Sequence, residues 1–436
     1  MKFKAIGINQ LDTIDQLKDL PSEYTKVLKA VSMVLPFRAN NYIVDELIDW
    51  NNIPEDPIFQ LTFPQPGMLK KEHLDQILDL IDSNAPESEL NLLINTIREE
   101  MNPHPAMQVE MNVPREQGKE HRGMQHKYPE TVLLFPKQGQ ICSAYCTYCF
   151  RWAQFSGMED LHFSASDPYE LVRYLESHPL VTDVLITGGD PLSMSTKLLR
   201  RYIEPLLKKP GNLRSIRIGT KFLSFWPYRF TTDRDAGDLM NLFGEIIDAG
   251  LHLAVMAHFT HFRELETQAV REAIVAIRKT GAEIRSQSPV VKHINDSADV
   301  WSAMWQKQVE LGIIPYYMFM ARNTGAKEYF SVTAADAYEI FTTAISRVSG
   351  LGRTVRGPVM SCSPGKVLID GIVEIGGQKA FALKFLQGRN PDWVNRLFLA
   401  EYDEKADWMD QFIPFRDEEF FYEEEYEEMK QQALSL

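Results

Sequence analysis

Three cysteines, Cys142, Cys146 and Cys149, stand in the stretch ICSAYCTYCF with the spacing C-x3-C-x2-C, and the chain has one other, Cys362. Thiolates are the usual ligands of iron–sulfur clusters, and a [4Fe–4S] cluster has four iron corners to fill. Three cysteines therefore leave one iron open to a substrate or cofactor. Zinc is the competing reading, but structural zinc takes four protein ligands. Cys362 lies far along the chain and no His falls in the cysteine loop. A disulfide reading is weaker, because the chain opens MKFKAIGINQ without an apolar signal core and its cysteines are scarce, as in a reducing, cytoplasmic compartment.

The elements that must position these cysteines can be read from periodicity. Apolar residues recur at three- and four-residue spacing in YTKVLKAVSMVL, YIVDELIDW and KKEHLDQILDLIDS, which predicts a helical N-terminal domain over residues 1–105. A polar stretch, MNPHPAMQVEMNVPREQGKEHRG, reads as a connector. From there short apolar runs alternate with longer amphipathic ones. Strands are expected at 131–135, 183–187, 215–220, 251–257, 283–288 and 314–319, with helices between them, several closing on Gly. Alternation of this kind implies a parallel sheet, because parallel neighbours need crossover connections. Six units are too few for a closed eight-stranded barrel, so the expected fold class is α/β, an open partial (β/α)6 barrel over 106–350. Residues 351–436 then form a C-terminal extension, with a hairpin flanking Gly376 and Gly377.

Ligands of parallel sheets bind at the C-terminal ends of the strands. The cysteine loop follows the first expected strand, and a second motif, Gly188-Gly189-Asp190, follows the second, so both open onto one rim. Glycines let backbone approach a ligand closely. Asp190 adds an anion that could face an ammonium group.

The net charge of −14 over 436 residues argues against non-specific nucleic-acid binding, and no apolar run approaches a membrane span. Carboxylates and aromatics crowd DEEFFYEEEYEE, residues 417–428, which reads as a solvated helix whose aromatics dock on the body, with a partner-binding tail as the alternative.

C-x3-C-x-Tyr-C after a first barrel strand, with Gly-Gly-Asp after the second, resembles the radical S-adenosylmethionine (SAM) superfamily. Within it the chain resembles the lysine 2,3-aminomutase family, through HKYPETVLL, RIGT, AHFTHFRE, QSPVVKHIND, IPYYMF and SPGK in that order. The resemblance implies three cofactors, a [4Fe–4S] cluster, SAM on its open iron, and pyridoxal 5′-phosphate (PLP) holding the amino acid. The SAM-derived radical then takes a hydrogen from C3, and the amino group moves from C2 to C3. It also implies a one-electron reductant such as flavodoxin or ferredoxin, and a homo-oligomer. The extra cysteines that bridge subunits through zinc in the lysine enzymes are missing here.

Residue by residue, the resemblance makes Lys366, in SPGK, the PLP-binding lysine, since only an amine can form that covalent link. The loop before it carries fewer glycines and is about two residues shorter than in the family, so an ordinary lysine after a turn is the bland reading. Lys127 and Tyr128 match PLP contacts, with Lys where the family has Arg, and Thr131 stands where the family has a second PLP-contacting Arg. Tyr148, Gly188, Gly189 and Asp190 fall in the SAM-facing motifs. His258 and His261 could contact the adenosine, and Gln287 and Asn295 match residues lining the cofactor cavity. Arg151 matches the Arg that binds the substrate α-carboxylate, which suits a guanidinium fork.

Arg322 and Ser361 are the informative departures. They stand at or near the two positions where lysine-specific members carry Asp residues that hold the distal ammonium of lysine. A cation there repels lysine and favours a side chain ending in a carboxylate, as in glutamate, unless Arg322 swings away or pairs with an acid such as Glu328. The expectation is a PLP- and SAM-dependent 2,3-aminomutase, glutamate favoured. Alternatives are a relative with another outcome, elimination or protein-lysine modification, and a non-catalytic SAM-binding iron–sulfur protein.

Overall fold

The structure is a computed structural model that describes residues 1–18, 20–103, 111–116, 118–157 and 164–435. Residues 104–110 and 117 of the expected connector lie outside the described residues. Eleven strands form one sheet in sequence order: β1 (Met124–Tyr128), β2 (Thr131–Leu134), β3 (Asp183–Ile186), β4 (Ser215–Thr220), β5 (His252–His258), β6 (Glu283–Val290), β7 (Ile314–Met320), β8 (Arg356–Ser361), β9 (Gly365–Ile375), β10 (Gln378–Gly388) and β11 (Leu397–Glu401). The six expected strands are β2–β7, all parallel. With β1 and β11 as its two ends, the sheet is open, as a partial barrel is.

A seventh parallel strand, β8, pairs with β7 and carries the sheet past residue 350, where the sequence reading placed the end of the barrel. Gly357 and Pro358 interrupt the apolar pattern of RGPVMS, which hid this strand. The sheet then turns antiparallel through β9, β10 and β11. Gly376 and Gly377 make the β9–β10 turn with φ of 62° and 80°, a conformation favoured by glycine.

Helices α4 (Pro168–Ser177), α5 (Thr196–Ile203), α6 (Ala236–Asp248), α7 (Gln268–Lys279), α8 (Ala298–Glu310) and α9 (Ala334–Ser346) make the crossovers. Four of them start on a side-chain cap, where Asp167, Thr267, Ser297 or Thr333 accepts a backbone N–H of the first turn. The strands show the two-residue period that this arrangement demands. In β6, Ile284, Ser286, Ser288 and Val290 are buried, while Gln287 and Pro289 point to the other face and line a cavity.

Ahead of the sheet, α1 (Ser22–Val34), α2 (Lys71–Asp82) and α3 (Glu87–Glu100) bury Leu28, Val31, Leu74, Ile77, Ile94 and Ile97 at three-residue spacing. YIVDELIDW makes only a short wide turn, Ile43–Leu47, because Asp49 caps the following turn at Asn51 and ends the run. The N-terminal region braces the cysteine loop. The Tyr145 N–H donates to Arg38 O at 2.8 Å, the Thr147 N–H to Leu61 O at 3.0 Å, and the Thr147 hydroxyl to Gln60 O at 2.7 Å. Among the described residues no helix is long and apolar enough to cross a membrane.

Candidate active site

One cavity of about 960 Å³ opens at the C-terminal ends of the parallel strands. It is lined by Cys142, Cys146, Cys149, Gly188, Gly189, Asp190, Tyr148, His258 and Gln287, and by Lys127, Tyr128, Arg151, Arg322 and Lys366. Residues from the loops after β2 and β3 thus face residues from β1, β7 and β9.

At the cysteine end, the two glycine-bearing motifs are packed against each other. A Cβ on Gly188 would lie 2.5 Å from Gln140 Nε2, and one on Gly189 2.6 Å from Ile141 N, so the close approach requires glycine at both positions. The three thiols face the cavity, and burial pushes their pKa values up, that of Cys146 to about 12. Among the described residues no three metal-ligating side chains converge on a single ion.

Asp190 has a structural task in this arrangement. Its carboxylate accepts from Leu192 N at 3.0 Å, from the Thr220 hydroxyl at 2.9 Å and from Lys221 N at 2.7 Å, so it braces the turn instead of standing free as an anion for a ligand. Burial pushes it up to about 7 against those hydrogen bonds. Lys221, which sequence reasoning passed over, lines the cavity and donates to Glu264 at 2.7 Å. Burial, aided by Lys221, holds His258 neutral, with a pKa well below the usual imidazole range. His261 and Asn295 are not among the lining residues. His261 Nδ1 accepts from Arg263 N at 3.3 Å, and Asn295 ties Val291 N to Thr260 O and Pro289 O, so both hold loops behind the wall. The Tyr148 hydroxyl shares a hydrogen bond with that of Thr260 at 2.6 Å.

At the other end, β9 places Lys366 between Ser361 of β8 and Gln387 of β10. Its amine donates to Gln387 Oε1 at 2.6 Å and sits over the rings of Tyr128 and Tyr317, 5.2 and 5.1 Å from their centroids. Burial, then the charges of Arg217 and Arg356, push Lys366 down to about 7. Lys127 donates to Cys362 O, and its pKa is held well below the usual ammonium range by burial. Arg389, missed from sequence, donates to Ser363 O at 2.9 Å and braces the loop before Lys366. At Thr131, where the family has Arg, the hydroxyl donates to Asp183 at 3.1 Å; the same carboxylate holds Arg217, whose guanidinium also lines the cavity.

Arg322 is the second residue after β7. It donates to the Ser361 hydroxyl at 3.4 Å, so the structure joins the two positions that depart from the lysine pocket. It makes no ion pair with Glu328 among the described residues. Lys127, Arg151, Arg322, Lys366 and Arg389 likewise make no ion pair there. Arg151, Arg322 and Arg389 thus stand as guanidinium groups without a carboxylate partner among the described residues.

The chain is similar over 91% of its length, at 29% identity, to a protein of Aquifex aeolicus provisionally named L-lysine 2,3-aminomutase, 92% of which is covered. The chain is thus similar across nearly its whole length to a protein named for lysine 2,3-aminomutase. L-lysine 2,3-aminomutase of Clostridium subterminale is 28% identical over 52% of this chain and 51% of its own length. Glutamate 2,3-aminomutase of Clostridioides difficile is 25% identical over 52% and 50%. The chain thus spans about half the length of these last two relatives. Among solved structures, a radical SAM methyltransferase from Sphaerobacter thermophilus matches 55% of this chain and 68% of its own, at a TM-score of 0.37 and 16% identity. No family model matches. The relatives named aminomutases are isomerases.

The last element, α10 (Glu423–Ser435), was the acidic segment read as a solvated helix. Phe420, Tyr422 and Tyr426 are buried as that reading expects, but the helix also walls the cavity: Glu419, Tyr422, Glu423, Glu424, Tyr426, Glu427 and Lys430 line it. The Tyr426 hydroxyl donates to the Ser363 hydroxyl at 2.5 Å. No local pattern could have placed this helix, because its site is set by contact with a loop sixty-three residues upstream.

Proposed function

We propose that this protein is a 2,3-aminomutase that moves the α-amino group of a free dicarboxylic amino acid, glutamate in the first place, from C2 to C3. The observation that carries the choice is the joined pair Arg322 and Ser361 on the cavity wall, with Arg151 nearby. Two guanidinium groups suit two carboxylates, since each can take a carboxylate through a bidentate fork.

The residues fit the cofactors the family uses. Cys142, Cys146 and Cys149 would hold the cluster, and SAM would lie beside it against the turn of Gly188 and Gly189, with Tyr148, His258 and Gln287 along the same wall. Lys366 would hold PLP, Lys127 would face its phosphate, and the buried Tyr128 hydroxyl, which finds no hydrogen-bond partner among the described residues, is free to receive one from it. When bound, these groups would supply the electron, the radical and a π-system conjugated to the nitrogen that moves from C2 to C3. The chain's own part is to fix the α-carboxylate at Arg151 and the distal carboxylate at Arg322, and to keep water from the reacting carbons behind α10. A one-electron donor of the flavodoxin or ferredoxin kind would serve the cluster in a cytoplasmic enzyme.

Lysine is the second reading, favoured by Glu419, Glu423, Glu424 and Glu427, which line the same cavity. The two are separated by anaerobic incubation of the reconstituted protein with SAM, PLP, a reductant and a panel of amino acids. β-Glutamate is the expected product; β-lysine moves the assignment to the second reading, and no β-amino acid from any member of the panel overturns both.

A further inference from the structure

Phe150 has no part in the reading above, yet it stands at the centre of the substrate end. It follows the last cysteine, lines the cavity, and is 37% exposed, so it is not a core residue. Both substrate-facing arginines lie over its ring: Arg322 Cζ is 4.4 Å from the centroid and Arg151 Cζ 5.1 Å. The two guanidinium groups can therefore be no further apart than those two lengths laid end to end. Like charges this close repel in a desolvated site, and neither has a carboxylate partner among the described residues, so the aromatic face is what meets both.

The ring is also tied to the cluster end. The Cys149 N–H donates to Cys146 O and the Trp152 N–H to Cys149 O, each at 3.0 Å, which fixes the turn that carries Phe150. Phe135, fully buried, backs Arg151 from below at 4.4 Å. Arg322, by contrast, has Phe150 and the long contact to Ser361.

We propose that Phe150 is a positioning residue, the spacer that sets the separation of Arg151 and Arg322 and thereby the length of dicarboxylic amino acid that spans them. This rests on the reading of the two arginines as carboxylate sites. A flat, rigid ring suits the task, because it offers each cation a face while allowing neither to collapse onto the other. A flexible aliphatic residue would leave Arg322 free to move, and substrates of several lengths could then be bridged.

The test compares kcat/KM for glutamate, 2-aminoadipate and 2-aminopimelate, each of which gives a distinct β-amino acid, in the wild-type enzyme, Phe150→Leu and Phe150→Tyr. The wild type should prefer one length by at least about tenfold, the size of effect a desolvated cation–π contact brings. Phe150→Leu should lose that preference mainly through KM, and Phe150→Tyr should keep it. Phe150→Met takes the place of Leu if that variant does not fold. Formation of 5′-deoxyadenosine without amino acid reports on the cluster and should be unchanged in both variants. A length preference that survives in Phe150→Leu overturns the proposal, as does loss of 5′-deoxyadenosine formation, which would make Phe150 a support of the cluster. If the wild type acts on none of the three acids, the assignment of the two arginines fails instead, and this is seen before any variant is made.

Discussion

The two ends of the cavity are built on opposite electrostatic plans. Around the cysteines the buried carboxylates are already answered: Asp190 receives Thr220 and two backbone N–H groups, and Glu264 receives Lys221, the Ser224 hydroxyl and the N–H groups of Thr260 and His261. Around Lys366 the charges stand open. Lys127, Arg322 and Arg389 meet only neutral oxygens, and the Tyr128 hydroxyl meets nothing among the described residues. Buried polar groups are normally satisfied, so the second end, on the proposed reading, is the one that anions from outside would complete. The first end is a finished scaffold that needs only its cluster.

The comparison breaks most sharply if the two ends are not separable. Lys366→Ala should abolish the long-wavelength absorption of bound PLP and lower aminomutase turnover by more than about a thousandfold, since no other amine is placed to take its role. The same variant should still assemble the cluster and cleave SAM. Cys146→Ala should do the reverse, keeping the PLP band and losing SAM cleavage. A PLP band that persists without Lys366 would remove that residue from the site.

Next in size is Arg322→Glu, which replaces an open cation by an anion beside Ser361. It should lower kcat/KM for glutamate by about a hundredfold, the scale of losing one partner of a buried charge pair, with little change in the PLP spectrum. Unchanged selectivity across the amino-acid panel would place Arg322 outside the substrate's reach.

These two residues also show how far the sequence could be read. The strands were legible because alternation of buried and exposed residues is local, and the cysteine and glycine motifs because their spacing along the chain is their geometry. The strand β8 was hidden by Gly357 and Pro358, which break the apolar pattern without breaking the strand. Arg217, Gln387, Arg389 and Tyr426 carry no local mark. Gln387, Arg389 and Tyr426 reach the site only because the sheet continues through β8, β9 and β10 and brings residues far apart in sequence side by side, whereas Arg217 reaches it from β4. The same holds for Asp190, whose type suggested a ligand and whose hydrogen bonds reveal a brace.

A smaller effect tests the open end through its protons. Burial and the neighbouring Arg217 and Arg356 push Lys366 down to about 7, so the amine is neutral and nucleophilic above that pH and protonated below it. The rate of PLP uptake by cofactor-free protein should level off above pH 7 and fall about tenfold for each unit below it. Arg217→Gln removes a repelling charge and frees Asp183, and both changes move the inflection upward. Stopped-flow absorbance gives the profile, and an inflection that does not move would detach Lys366 from this cluster of charges.

The smallest effect concerns the element that closes the cavity. Tyr426→Phe removes one hydroxyl, the one that donates to Ser363 in the loop before Lys366. A neutral hydrogen bond contributes about 1 kcal/mol, so the loop should loosen by roughly fivefold in an equilibrium, seen as a matching rise in the dissociation constant for PLP. The variant should fold as the wild type does, because the ring that fills the core is retained and the Ser363 hydroxyl can turn to another partner. The cysteine end should not register the change at all. Equal losses in PLP affinity and SAM cleavage would mean that α10 stabilises the whole barrel, and a loss confined to PLP affinity makes it part of the open end alone.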